Sequence, residues 1–234
     1  MRTVLTVIAA CCAMSVTAGT IVVHKVQGDV SVRHGVTEVW SKVATGDVLR
    51  PDDTMKTGKR GSAVLVATAV TENMTGQKMI SLPAEVMVDI SDIRELSQEE
   101  LMLKLTMEKV RSSSYQWKME DLHIPEAAAM HGAERAPASL RESDTAMGTF
   151  QLNGARVLFD NGFFATCALK GMEVFRHYPS LSADFKRRLM VAEALENADL
   201  RGEAISEYGA LSGMEGLSPG QLSLVSAKLR SLRK

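Results

Sequence analysis

The sequence predicts a multidomain α+β protein, in which an all-β domain with sandwich or jelly-roll-like packing precedes a helical domain. Between residues 20 and 93, short apolar stretches recur about every ten residues and alternate with turn residues, as in antiparallel sheets. From Phe150 onward the apolar residues follow the helical period. Residues 113–147 have little apolar periodicity and contain Pro125 and Pro137, so we expect a linker there.

The N-terminus has the layout of a secretory signal peptide. Arg2 supplies one positive charge, and an uncharged apolar run follows and ends in small residues at Ala18. We expect residues 1–18 to be cleaved, leaving a periplasmic or secreted protein with peripheral or no membrane contact. Ile8–Cys11 imitates a lipoprotein box, but the apolar run before it is short. An uncleaved segment that continues to Val23 would be long enough to anchor the chain in a membrane.

The composition excludes some classes of function. The formal net charge is -1 over 234 residues, which gives no electrostatic basis for binding nucleic acid. Two of the three cysteines, Cys11 and Cys12, leave with the signal peptide. Cys167 then has no partner for an intramolecular disulfide, so stability must come from packing. We expect Cys167 itself to be a buried, inert thiol.

The predicted β-domain covers residues 19–95. Val30 and Val32 alternate with polar residues, and Gly28 with Asp29 fits a tight turn. Further strands are predicted over residues 62–68 and 85–91. Trp40 is a lone tryptophan in this region, and we expect it to fill the core.

These strand and turn residues resemble the periplasmic FecR-type domain. The resemblance covers roughly residues 24 to 93 and rests on turn residues in a fixed order. The matching positions are Gly28, Trp40, Gly46–Leu49, Thr57–Gly58 and Gly61–Leu65. It implies a β-module that binds protein or envelope material. The iron-signalling role of the family's transmembrane sensors is not carried over, since only Met1 and Arg2 precede the apolar run.

A docking helix is predicted over residues 96–112. Ser97 and Glu100 have the spacing of a capping box. The helix carries two apolar stripes, and we expect it to pack on the sheet. The first stripe contains Leu101 and Leu105, and the second contains Leu103, Met107 and Val110.

Residues 148–234 resemble tetratricopeptide-like helical repeats. In the first unit, Ala168 allows close helix contact, Gly162 makes the turn and Pro179 ends the second helix. A fainter second unit spans Val191 to Leu211, and Ser218 opens a final helix. Such stacks need about three repeats for stability. Therefore either the final helix caps the stack, or a partner chain extends the stack.

No catalytic, cofactor-binding or metal-binding residue is predicted, and we expect no enzymatic activity and no cofactor. The chain has no nucleophile elbow, zinc-protease motif, phosphate loop or Cys-x-x-Cys motif. The carboxylate pairs Asp52–Asp53 and Asp89 with Asp92 lie beside turns or strand ends, where Asp serves the backbone. His123 and His131 lie in the predicted linker without the spacing of a metal site.

Two functions remain open. In the first, the protein is a non-enzymatic envelope scaffold or adaptor that binds a protein through its helical repeats and an envelope component through its β-domain. In the second, it is an envelope sensor or a module that binds a carbohydrate or small ligand through the β-domain. The first is favoured because every Phe and Tyr lies outside the β-domain, which leaves Trp40 without aromatic companions there.

Overall fold

The computed structural model describes residues 20–71, 74–112 and 139–233, with six helices and two antiparallel sheets. The predicted signal peptide and the histidines at 123 and 131 lie outside the described residues. The α+β class is confirmed, with the sheets in the N-terminal part and the helices following them.

The eight strands form two four-stranded sheets, with the orders β4-β1-β6-β7 and β3-β2-β5-β8. The strands are β1 (Thr20–Gln27), β2 (Val30–His34), β3 (Trp40–Lys42), β4 (Val48–Leu49), β5 (Asp53–Thr57), β6 (Ser62–Thr71), β7 (Met74–Leu82) and β8 (Met87–Asp89). Strand β7 was not among the strands predicted from the sequence, and β8 is shorter than the predicted strand over 85–91. The alternation in β2 is confirmed, because Val30 and Val32 are buried and Ser31 and Arg33 are more exposed.

The turn between β1 and β2 explains Gly28. Its φ is +69°, and a Cβ at this position would lie 2.0 Å from the carbonyl oxygen of Arg60. Both the left-handed backbone and the close approach exclude a larger side chain. The tight turn predicted at this position is therefore confirmed.

The six helices are α1 (Gln98–Ser112), α2 (Ser139–Asp160), α3 (Phe164–His177), α4 (Phe185–Asn197), α5 (Arg201–Ser212) and α6 (Pro219–Leu232). Helices α2 and α3 pack together, as do α4 and α5, and α6 packs on α5. Gly162, with φ +79°, lies in the turn between α2 and α3, as predicted. Ser218 caps α6 through a capping box with Gln221. Because α2 begins at Ser139, the last nine residues of the segment predicted as linker are helical.

The sheets and the helices share one apolar core. A single cluster of buried side chains includes Leu65 and Val88 from the sheets and Leu158, Ala168 and Leu195 from the helices. Helix α2 packs on β8 and β7. The β-part and the helical part are therefore in direct contact, although the sequence had suggested two units separated by a linker.

The backbones of the two parts lie close together at Gly154 of α2. A Cβ on Gly154 would lie 1.9 Å from the carbonyl oxygen of Met87 in β8. Nearby, Asn153 Nδ2 donates to the carbonyl oxygen of Glu85 at 2.7 Å. The absence of a side chain at Gly154 is what allows α2 to lie against the backbone of β8.

Candidate functional site

Helix α1 begins at a partial capping box. The Oγ of Ser97 accepts a hydrogen bond from the backbone N–H of Glu100 at 3.2 Å, as predicted. The Glu100 carboxylate instead accepts from Arg94 Nη1 at 2.8 Å and lies 3.4 Å from Lys104 Nζ. These contacts lower the pKa of Glu100, the hydrogen bond from Arg94 being the largest cause.

The two apolar stripes of α1 have different environments. Leu101 and Leu105 are buried in the core, and the helix packs against α3. The sequence predicts that α1 packs on the sheet; its principal neighbour is the helix α3, and its buried leucines belong to the core cluster that also contains the sheet residues. On the opposite side, Leu103 and Met107 are 62% and 46% exposed. An apolar pair at i, i+4 facing solvent is the arrangement that a second helix would cover.

Two ion pairs hold α1 on the helical part. Glu108 is buried, and it accepts hydrogen bonds from Arg176 Nε at 2.6 Å and from Arg176 Nη2 at 3.2 Å. Lys109 Nζ donates to Glu203 Oε1 on α5 at 2.7 Å. Breaking the Glu108–Arg176 pair would leave an uncompensated charge on the buried Glu108, so this pair fixes α1 in place. The Lys109–Glu203 pair contributes less, because its lysine is 56% exposed.

A cleft of about 300 Å³ lies beside this exposed stripe, between α1, α3 and the short 3-10 helix Ile90–Asp92. Its lining residues are Asp92, Lys104, Met107, Glu108, Arg111, Thr166, Leu169, Lys170 and Glu173. The volume is at the lower limit of small-molecule sites, and charged groups of both signs dominate the walls. The cleft is better suited to receive a side chain from a docked protein than to enclose a ligand.

Lys170 lines the cleft and lies within about 4 Å of three carboxylates. Its Nζ lies 2.8 Å from Asp89 Oδ2, 3.1 Å from Glu173 Oε2 and 3.4 Å from Asp92 Oδ2. The sequence had noted Asp89 and Asp92 as a carboxylate pair, and the structure brings them together around a cation that sequence spacing did not reveal.

The electrostatics of this cluster follow from burial. Burial alone would raise the pKa of Asp89, but the charge and hydrogen bond of Lys170, together with Thr54, hold that pKa below its usual range. Burial raises the pKa of Asp92, because Lys170 offsets the desolvation only in part. Burial would lower the pKa of Lys170, but the surrounding carboxylates raise it. The cluster is therefore a largely buried cation that neutralises partly buried acids at the junction.

The prediction that Trp40 fills the core is wrong. Trp40 on β3 lies directly opposite Arg33 on β2. Both side chains are on the side of the sheet opposite the buried valines of β2. Its ring is half-buried, with Arg33 Cζ 5.4 Å and Lys56 Nζ 4.8 Å from the ring centroid. Cation–π contacts of this length are attractive. The tryptophan therefore holds two cations on the outer side of the sheet.

A polar row crosses this side of the sheet from Trp40 to Lys170. Arg33 Nη2 donates to Thr54 Oγ1 at 3.2 Å, and Thr54 Oγ1 donates to Asp89 Oδ1 at 2.7 Å. At the end of the row, Lys170 Nζ donates a hydrogen bond to the other carboxylate oxygen of Asp89, Oδ2. At β8 the row ends in the partly buried charges of Asp89 and Lys170, and at β3 it ends beside the half-buried Arg33 and Trp40.

The remaining candidates from the sequence have structural roles. Asp53 is buried; its Oδ2 accepts from the N–H of Arg50 and its Oδ1 lies 2.8 Å from His34 Nδ1, whereas Asp52 is exposed. Cys167 is fully buried, as predicted, and burial raises its pKa to about 12. Within residues 20–71, 74–112 and 139–233, no group of three or more His, Cys, Asp and Glu side chains is arranged to hold a metal ion.

Comparison of the chain with protein-family models, with curated proteins and with solved structures gave no match. No helix among the described residues is long and apolar enough to cross a membrane.

Proposed function

We propose that this protein is a non-enzymatic, exported envelope protein that acts as a protein-binding scaffold or adaptor. In this proposal a FecR-like β-module carries two tetratricopeptide-like helix pairs, α2 with α3 and α4 with α5, followed by α6, which packs on α5. The observation that carries the proposal is the exposure of Leu103 and Met107 on a helix whose other stripe is already buried.

The chemistry of the surface favours a partner helix. Leu103 and Met107 lie one helical turn apart, so they match the apolar face of an amphipathic helix. Lys104 and Arg111 lie beside them at the rim of the cleft. A partner with acidic residues flanking its apolar face would complement both features.

The exposed surface of α6 is mixed. Val225 is buried against the stack, and Ser223, Ser226 and Arg230 are exposed, but Leu222 and Leu224 are also 42% and 41% exposed. A fully polar outer side is typical of helices that cap a repeat stack. Because α6 exposes two leucines, both roles remain open, the cap and extension of the stack by a partner chain.

A pair of matched variants of the full chain tests the proposal. Leu103→Glu places a charge in the exposed stripe, and Met102→Glu does the same on another side of α1, where Met102 is also 46% exposed. We expect the wild type and Met102→Glu to capture the same protein from an envelope extract, and we expect Leu103→Glu to lose it. All three chains should keep the same circular dichroism spectrum. Capture of the same protein by Leu103→Glu contradicts the proposed surface.

Export is tested separately by intact-mass measurement on the protein recovered from cell fractions. The mature chain is expected to begin at Gly19, after the small residues at 16–18. Recovery of a membrane-bound form that retains residues 1–18 would show that this segment is an uncleaved membrane anchor. A diacylglycerol on Cys11 would instead establish a lipoprotein.

A further inference from the structure

The hairpin between β2 and β3 exposes apolar side chains to solvent at its tip. Val36 is fully exposed and Val39 is 75% exposed. Both lie in the loop over residues 35–39, directly before Trp40. Two exposed valines next to a half-buried tryptophan form an apolar tip on an otherwise polar surface.

Cations lie behind this tip in the order of the strand register. Arg33 is paired with Trp40, in the row nearest the loop. One row further from the loop, Ser31 is paired with Lys42 on β3 and with Lys56 on β5. Moving away from the tip, the surface therefore changes from valine to tryptophan with arginine, and then to two lysines.

The cations of this surface are not held in direct ion pairs with other described residues. Among the described residues, no carboxylate forms an ion pair with Arg33, Lys42 or Lys56. Trp40 holds Arg33 and Lys56 near one ring, which brings like charges together. Glu38 and Asp52 are exposed at or beside the loop, and Asp89 is connected to Arg33 through Thr54. The positive charge that remains available to a ligand is therefore mainly that of Lys42 and Lys56.

We propose that this hairpin, defined by residues 33–42 with Lys56, attaches the protein peripherally to an anionic lipid bilayer. The valines enter the boundary between headgroups and acyl chains, Trp40 lies at the interface, and the cations contact the anionic headgroups. Each level of the surface then meets the layer of the bilayer that suits its chemistry. A soluble polyanion would use the cations but would leave the exposed valines without a role.

This attachment goes beyond the proposed scaffold function and uses a different surface from α1. The hairpin and the exposed stripe of α1 have no residue in common, and α1 packs against α3. The two proposals therefore stand or fall separately. Leu103→Glu is expected to leave vesicle binding unchanged.

Vesicle flotation tests the attachment, using the chain from Gly19 onward so that the apolar leader does not itself bind lipid. Vesicles of phosphatidylcholine with phosphatidylglycerol are compared with vesicles of phosphatidylcholine alone. Removing the apolar tip with Val36→Ser and Val39→Ser is expected to weaken binding about tenfold without changing the charge. Val48→Ser, which alters a valine that is 62% exposed on β4, is the matched control and is expected to bind like the wild type.

The contribution of the cations is measured with Lys42→Gln and Lys56→Gln, each expected to weaken binding about fivefold. In a Trp117→Phe background, the emission of Trp40 is expected to shift to the blue on vesicles containing phosphatidylglycerol. Unchanged binding by the Val36→Ser, Val39→Ser variant would overturn the proposal, and so would equal binding to vesicles without anionic lipid. Loss of binding in the lysine variants alone would show that the charges bind without insertion of the valines, which would also overturn the proposal.

Discussion

Lys170 Nζ on α3 lies 2.8 Å from Asp89 Oδ2 on β8. The two residues belong to the helical part and to the β-part, and Lys170 is only 14% exposed. Asp92 and Glu173 complete the coordination of the same ammonium group. The junction between the two parts thus combines a partly buried charge cluster with a continuous apolar core.

Replacing Lys170 with methionine is expected to destabilise the protein by about 1–3 kcal/mol, because the partly buried Asp89 and Asp92 would lose their cation. Lys59→Met removes an exposed lysine and is expected to change the stability by less than about 0.5 kcal/mol. Urea denaturation of both variants measures the difference. Equal losses would show that the cluster contributes nothing to holding the two parts together.

The penalty in Lys170→Met is expected to shrink as the pH falls. In the wild type, the folded pKa of Asp89 lies below its usual 3.8, so Asp89 contributes stability above that pH and loses it in acid. Without Lys170, burial would raise the pKa values of both Asp89 and Asp92, and acid would relieve the variant by protonating them. Denaturation curves from neutral pH down to the region of these pKa values test this. A stability difference between wild type and variant that is constant with pH contradicts it.

Local features of the fold could be predicted from the sequence, whereas contacts between distant segments could not. The alternation of Val30 and Val32, the cap at Ser218 and the turn at Gly162 each follow from neighbouring residues. The outward position of Trp40 depends on its pairing with Arg33, and the strand alternation around Trp40 did not specify that register.

The same limit applies to the candidate sites. Lys170 follows Asp89 by 81 positions, so no local spacing connects them. For α1, the sequence revealed both apolar stripes but not which of them the fold buries. Leu103 is exposed because α3 packs against the other side of α1, which carries Leu101 and Leu105.

Gly154→Ala is expected to destabilise the protein by about 1–3 kcal/mol, despite alanine's higher helix propensity. The added Cβ would lie 1.9 Å from the carbonyl oxygen of Met87, so α2 would have to move away from β8. Gly209→Ala in α5 meets nothing within 4 Å and is expected to stabilise by about 0.5–1 kcal/mol. Thermal melts should move in opposite directions. A higher melting temperature in both would mean that the layers are not in close contact at Gly154.

Trp40→Ala is expected to cost about 1 kcal/mol or less, because the ring lies on the outer side of its sheet with Arg33 and Lys56. Met55→Ala in β5 removes a side chain that is fully buried on the other side of the same sheet. Its expected cost is about 2–5 kcal/mol. Urea denaturation followed by circular dichroism compares the two. If Trp40→Ala lowers the free energy of unfolding as much as Met55→Ala does, the tryptophan is part of the core after all.

Ala168→Arg is expected to unfold the helical part and to weaken the sheets with it. Ala168 is fully buried in α3, and an arginine there would be an unpaired charge in the core. Because α3 also carries Lys170, which binds Asp89, the loss of α3 removes the cation beneath β8. Ala227→Arg, at an exposed position of α6, is the matched control and is expected to behave like the wild type.

Hydrogen exchange measured by mass spectrometry distinguishes shared from separate stability in these variants. In Ala168→Arg, amides of β5 and β6 are expected to lose protection together with those of α3, because a continuous core links the sheets to the helices. If the strands keep the protection of the wild type while the helices exchange, the two parts fold independently. The charge cluster at Lys170 would then be a contact between separate domains, and the interdomain linker predicted from the sequence would regain its role.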